Sequence, residues 1–289
     1  MRILFLCNRD LASNLALNLL LPAFANHEVR VCLTESVGAI DRAEPAGRRE
    51  LRAAEQTYPN EVLFPLIEGA KFADDGARHL TFGEVERLRG IPVEVLARPN
   101  DPPALAQARA YAPDLVVSVR YGAILRPDFL SIPRLGVLNL HSGLLPAYRG
   151  VLASFRALMN GDDEIGCTLH RISDATIDTG AVLATARLRV LPERSLLGSI
   201  LALYPLGCAL IADAIAQLER GSALPGTRQP AGAGNYYGYP TADDWAQFTA
   251  RGLQVSLPAE MLVAYRRYFP SAGPTSAMAA TAATAATSR

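Results

Sequence analysis

The 289-residue chain is 50% hydrophobic and carries 28 Lys and Arg against 28 Asp and Glu, so its formal net charge is zero. That length can bury a large core, and neutrality excludes a global electrostatic pull toward nucleic acid or an anionic membrane. The four cysteines, Cys7, Cys32, Cys167 and Cys208, fall at no disulfide or metal-ligand spacing, which fits free thiols in a reducing, cytoplasmic setting and predicts no catalytic metal.

Ile3–Cys7 is a short apolar run that reads as a buried strand, too short for a signal-peptide core. Asn8–Ala12 reads as a turn with Ser13 as N-cap and a helix from Asn14 to Leu21, and His27–Thr34 alternates as a second strand. This β-α-β opening predicts an α/β protein with a doubly wound, Rossmann-like, mostly parallel sheet. Asn8-Arg9-Asp10 stands where a dinucleotide fold would place glycines, which argues against NAD or ATP. Residues 35–80 are less regular. Arg48–Glu55 favours helix, and the stretch reads equally as a surface insertion or as part of a substrate-binding rim.

Thr81–Arg89 is expected as a helix stopping at Gly90, Ile91–Ala97 as a strand, Ala104–Tyr111 as a helix and Asp114–Val119 as a central parallel strand. Val137–His141 and Gly166–Ile172 are further strands, Val151–Met159 is a helix between them, and Ala181–Val190 is a strand near the sheet edge. Leu196–Leu218 is the longest apolar-periodic helix, with an interruption expected at Pro205 and a stop at Gly221. No segment is expected to reach the length of a membrane span. Pro225–Gly238 reads as a linker. An aromatic-rich piece follows, with Thr241 and Asp244 as a helix-start signal before Trp245, and from Ser271 the chain is Ala/Thr/Ser-rich and expected to be disordered. The predicted organisation is a main domain over 1–222, a small extension over 223–270 and a tail over 271–289.

The segment Gly136–Gly150, GVLNLHSGLLPAYRG, carries the chemistry. On a strand, Asn139 and His141 share one face while Leu138 and Leu140 take the other. An amide donor beside a titratable base at a strand end suits acyl transfer. Taken with Asp114–Val117, Tyr121–Leu125 and Ile132-Pro133 before it, and Gly166–His170 and Asp174–Gly180 after it, this segment resembles the 10-formyltetrahydrofolate-dependent formyltransferases. That family includes the glycinamide ribonucleotide, methionyl-tRNA and amino-sugar enzymes. The resemblance covers most of residues 1–220.

The resemblance implies the formyltransferase fold and 10-formyltetrahydrofolate as co-substrate. It assigns Asn139 to the oxyanion, His141 to proton transfer or charge stabilisation, and Asp178 to orienting His141, whose pKa the carboxylate is expected to raise. Tyr121, Gly122, Ile124 and Leu125 on one loop, and Asp174 and Ile177 on another, are expected to hold the folate. Arg149 and Tyr148 are expected to border the acceptor. Arg120 replaces a commoner small residue and is read as meeting the folate glutamate or the acceptor, or turning to solvent. His170 reads as a hydrogen-bonded core histidine or a residue bordering the site. Tyr236, Tyr237 and Trp245 are read as a ring-stacking surface or as part of a satellite cluster packed on the catalytic domain.

The leading reading of the acceptor is a small-molecule amine such as an amino sugar or a hydroxyornithine-type metabolite, with a homodimer left open and no membrane partner. A tRNA acceptor is disfavoured because the residues after the catalytic segment are aromatic and not basic. A formyltetrahydrofolate hydrolase is disfavoured because the first strand begins at Ile3. A silent folate-binding protein is disfavoured because Asn139, His141 and Asp178 are all present.

Overall fold

The computed structural model describes residues 1–34 and 44–270; the expected tail over 271–289 lies outside the described residues. In chain order the elements are β1 (Arg2–Asn8), α1 (Leu11–Phe24), β2 (Glu28–Thr34), α2 (Ala46–Arg52), α3 (Phe64–Ala70), α4 (Phe82–Arg89), β3 (Val93–Val95), α5 (Pro102–Tyr111), β4 (Leu115–Val119) and α6 (Pro127–Leu130). They continue as β5 (Val137–His141), β6 (Tyr148–Gly150), α7 (Ala153–Asn160), β7 (Glu164–Ile172), β8 (Val182–Arg189), α8 (Leu196–Glu219), β9 (Asn235–Tyr237), α9 (Ala242–Ala250) and α10 (Pro258–Arg266).

Seven strands form one sheet in the order β3-β2-β1-β4-β5-β7-β8. The first five are parallel, and β7 and β8 add antiparallel. Side chains alternate across it. Ile3, Phe5, Val117, Leu138 and Leu140 enter the core under α1 and α8, whereas Leu4, Leu6, Val116 and Val137 face α5 and α6. The chain leaves β1 toward β2 on one side and later builds β4 on the other, so a crevice opens where the C-terminal ends of β1 and β4 diverge.

Three local readings change. α1 begins at Leu11, because Asp10 and not Ser13 is the N-cap: the Ser13 amide donates to Asp10 Oδ1 at 2.7 Å. α8 runs through Pro205 without a break. The proline sits on its exposed face, while Leu203, Tyr204, Gly207, Cys208 and Ile211 bind the opposite face to the core. Among the described residues α8 is also the one helix long and apolar enough to cross a membrane, contrary to the sequence-based expectation; here its buried face packs on α1, β7 and β8. Gly90 ends α4, as the sequence predicts, and Thr81 and Glu84 form a capping box at its start.

The stretch after Glu44 is one helical rod. α2 leads through two segments of wider, i→i+5 winding, Ala53–Thr57 and Pro59–Leu63, into α3. The core does not break at residue 222. Trp245, Phe248, Met261 and Tyr268 belong to the same apolar cluster as β1 and α8, with Trp245 4.6 Å and Phe248 4.8 Å from the Phe155 ring. Trp245 is 3% exposed and offers no stacking surface. Within the expected linker, β9 pairs in parallel with β6.

Candidate active site

The crevice at the C-terminal ends of β1, β4 and β5 holds a cleft of about 270 Å³. Asn139, His141 and Asp178 all line it. β5 supplies the first two through its period of two. Antiparallel pairing then sets His170 of β7 directly across from Asn139.

Asn139 Nδ2 lies 3.0 Å from His170 Nε2, and His170 Nδ1 lies 3.0 Å from the Arg171 carbonyl. The carbonyl assigns the His170 proton to Nδ1, which makes Nε2 an acceptor for the Asn139 amide. One Asn139 N–H is thereby fixed and the second is left for the cleft. Asp178 sits between the two histidines, with Oδ2 3.4 Å from His141 Nδ1 and Oδ1 3.4 Å from His170 Nε2.

Asp178 adopts φ of +57°, in the left-handed region. Asp tolerates that conformation better than most residues, and the neighbouring contacts hold it there. The Gly150 amide donates to Asp178 Oδ2 at 2.9 Å. Gly150 itself has φ of +97°, and a Cβ there would run into the Tyr237 carbonyl, so this approach requires glycine. From the supposed linker, Gln229 Nε2 donates to the carbonyls of Asp178 (2.8 Å) and Gly180 (2.7 Å).

His141 Nε2 donates to the Tyr148 carbonyl at 2.6 Å, so both ring nitrogens face acceptors. Only the imidazolium satisfies both, but burial opposes that charge and outweighs Asp178 and the carbonyl. The His141 pKa is held below its ordinary value, opposite to the expected rise. Burial pushes Asp178 up, yet His141, His170 and the Gly150 amide together hold it below the usual carboxylate range. The resting pair is a neutral imidazole beside a carboxylate, set to gain one proton at Nδ1.

The other expected residues scatter. Tyr121 and Ile177 line the cleft. Gly122, Ile124, Leu125 and Asp174 do not: the Gly122 amide is taken by Thr34 Oγ1 at 3.1 Å, the Ile124 carbonyl accepts from Asn100, Leu125 packs into the lower core, and Asp174 folds its carboxylate onto the Thr176 amide. Tyr148 turns its ring away, and its hydroxyl bonds Asp162 at 2.6 Å and Asn160 at 2.9 Å. Arg149 lies along the Gly234 carbonyl, outside the cleft. Of the extension, Tyr236 and Tyr239 reach the cleft, whereas Tyr237 stacks on Tyr148.

Arg120 lines the cleft and does not turn to solvent. At φ of +58°, just past β4, it turns inward; Nε contacts Asp10 Oδ2 at 2.9 Å and Nη2 contacts Glu55 Oε2 at 2.8 Å. For the opposite wall of the cleft, sequence reasoning offered a rim as one of two readings of residues 35–80 and named none of its residues. Glu44, Arg48, Leu51, Arg52, Glu55 and Gln56 line it from the rod. The available signal was the helical spacing of Arg48, Arg52 and Glu55, three and four residues apart. Glu44 binds Arg48 (2.9 Å) and Arg52 (2.6 Å), and Arg48 stacks over Tyr239 at 3.9 Å. Among the described residues, no group of three or more His, Cys, Asp or Glu could hold a metal ion.

Residues 86–198 match the family model described as formyl transferase. Over 212 residues the chain is 34% identical to a methionyl-tRNA formyltransferase of Burkholderia ambifaria, covering 66% of this chain and 62% of that one. Over the residues these matches cover, the chain is similar to the formyl transferase family. A methionyl-tRNA formyltransferase of a Synechococcus species is 41% identical over 140 residues, 48% of this chain and 43% of its own. The chain thus spans about half the length of such formyl transferase relatives. Among solved structures, a sugar N-formyltransferase from a Shewanella species superposes with a TM-score of 0.53 at 17% identity, over 95% of this chain and 90% of that one. Glycinamide ribonucleotide transformylase 1 from Symbiobacterium toebii gives 0.53 at 19%, over 80% and 94%. At these identities the two structures show the formyl transferase fold alone.

Proposed function

We propose that this protein moves a formyl group from 10-formyltetrahydrofolate to a primary amine. The observation that carries the reading is the single cleft joining an oriented amide, Asn139, to a neutral imidazole, His141, beside an ionised carboxylate, Asp178. Attack of the amine on the formyl carbon builds negative charge on the formyl oxygen, which the free Asn139 N–H stabilises. The attacking nitrogen must shed a proton as the C–N bond forms. His141 Nδ1 takes it, and the new imidazolium gains both of the acceptors it faces. Collapse breaks the bond to the folate nitrogen, and His141 returns the proton there, leaving a formamide and tetrahydrofolate. Asp178, Gly150, His170 and Gln229 keep these groups in register. Tyr121 and Ile177 are the residues we assign to contact with the folate.

Two acceptor readings have support. The curated relatives named methionyl-tRNA formyltransferase favour the amino group of methionyl-tRNA and remove the ground for setting tRNA aside. Tyr236, 55% exposed on the cleft, with the Arg48–Tyr239 stack, favours a small ring-bearing amine such as a nucleotide-linked amino sugar. The test incubates the protein and 10-formyltetrahydrofolate with methionyl-tRNA in one arm and dTDP-3-aminofucose in another, and follows tetrahydrofolate and formylated product. Formylated methionyl-tRNA alone selects the first reading, and formylated sugar alone selects the second. A protein that binds no folate overturns the function.

A further inference from the structure

Asp10, Arg120 and Glu55 form a closed cluster at the point where β1 and β4 part. Asp10 is fully buried and Glu55 is 6% exposed. Asp10 is satisfied: Oδ1 accepts from Ser13, and Oδ2 accepts from Asn8 and Arg120. Glu55 is not. Its Oε2 accepts from Arg120, and Oε1 accepts no hydrogen bond among the described residues although Glu55 lines the cleft. Two carboxylates share one guanidinium, so the cluster carries one uncompensated negative charge at the cleft wall. Among the described residues, no further cation contacts it. Tyr204 of α8 offers a hydroxyl, and Arg52 and Arg48, one and two turns back on the rod, are held by Glu44. Oε1 faces the cleft, where water, a proton or a cation from the ligand can stabilise it, and the cation alone also balances the charge.

We infer that Glu55 is the receptor and first proton acceptor for the ammonium group of the acceptor substrate. The inference rests on the formyl-transfer reading above, in which a primary amine must enter this cleft, and it holds for either acceptor. At neutral pH an alkylamine arrives protonated and cannot attack. Its ammonium completes the Asp10–Arg120–Glu55 cluster by bonding Oε1. The proton then passes to Glu55, giving R–NH2 and a neutral carboxylic acid beside Arg120, and the free amine attacks the formyl carbon at Asn139. Glu55 later releases that proton to solvent, while His141 handles the second one. Burial and Asp10 push the Glu55 pKa up to about 7, against Arg120, which suits a group that must both take and release a proton near neutrality.

The test titrates the full-length protein, with its glutamate side-chain carboxyls carrying carbon-13, by NMR. The Glu55 signal is the one lost in Glu55→Gln. Where that variant does not fold, Glu55→Asp removes the same signal while keeping a carboxylate beside Arg120. The expected Glu55 midpoint lies well above the ordinary carboxylate range, and methylammonium chloride lowers it by about half a pH unit, whereas tetramethylammonium chloride at equal ionic strength does not. A midpoint in the ordinary range, or one moved alike by the two salts, overturns the inference. Binding of 5-formyltetrahydrofolate to the wild-type protein, measured separately, tests the formyl-transfer reading. No folate binding with the methylammonium response intact removes the donor and leaves the ammonium site standing.

Discussion

The two walls of the cleft both carry ionisable groups and are built on different terms. On the strand wall, Asn139, His141, His170 and Asp178 come from two adjacent strands and the turn after them, and backbone groups fix them: the Arg171 and Tyr148 carbonyls and the Gly150 amide. On the rod wall, Glu55 and Arg120 lie 65 residues apart and are fixed by charge alone, with Asp10 as the third member. Register orients the first set at little cost. The second set is ions taken out of water, stable together and costly apart. Function can be lost on the strand wall without loss of fold, whereas on the rod wall the two are coupled.

The largest expected effect follows from the strand wall. His141→Ala or Asp178→Ala lowers turnover by about 10²–10⁴-fold, and Asn139→Ala by about 10²–10³-fold, with the thermal transition and folate binding kept. Near-normal single-turnover rates in the His141 variant would sink the proposed chemistry.

Arg120→Ala tests the rod wall. It leaves two carboxylates buried together and is expected to cost about 3–5 kcal/mol in urea unfolding. A loss within the range of an ordinary surface substitution contradicts the charge-held picture.

The pH dependence sharpens the contrast, because the walls have opposite signs. His141 and Asp178 are depressed, so their contributions are lost as pH falls, below about 6.5 and about 3.8 respectively. Glu55 is raised from 4.5 to about 7, so the folded state holds its proton longer and stability falls as pH rises across that window. Glu55→Gln is therefore expected to gain on the wild type by roughly 2 kcal/mol between those limits, read as urea midpoints. A gap that is constant with pH removes Glu55 from the titration.

The smallest effect concerns the buttress between the walls and the C-terminal residues. Gln229→Leu frees the Asp178 and Gly180 carbonyls and is expected to lower kcat about 10-fold with KM for folate unchanged. A rise in KM alone would assign Gln229 to binding.

Much of the strand wall was legible because a strand's period of two and its short connections tie sequence spacing to geometry. Asn139 and His141 share a face by that rule, and Asp178 follows two residues before a glycine that packs on β7. His170 was only half legible, since its partnership with Asn139 depends on an antiparallel register that no local pattern states. Tyr148 and Arg149 were misplaced because β6 is captured by β9, an interaction between segments some 85 residues apart.

By itself the sequence determined the β-α-β opening, the capping of α4 and α9, the buried parallel strands and the Asn-x-His pair, all of which rest on interactions within a few residues. It also carried the family resemblance. Only the tertiary structure decided that Arg120 turns inward, that α8 continues through Pro205, that Trp245 and Tyr268 join the main core, and that Glu55 faces the cleft. These depend on which distant groups share a low-dielectric space. There the desolvation of a charge or the burial of a ring outweighs local preference.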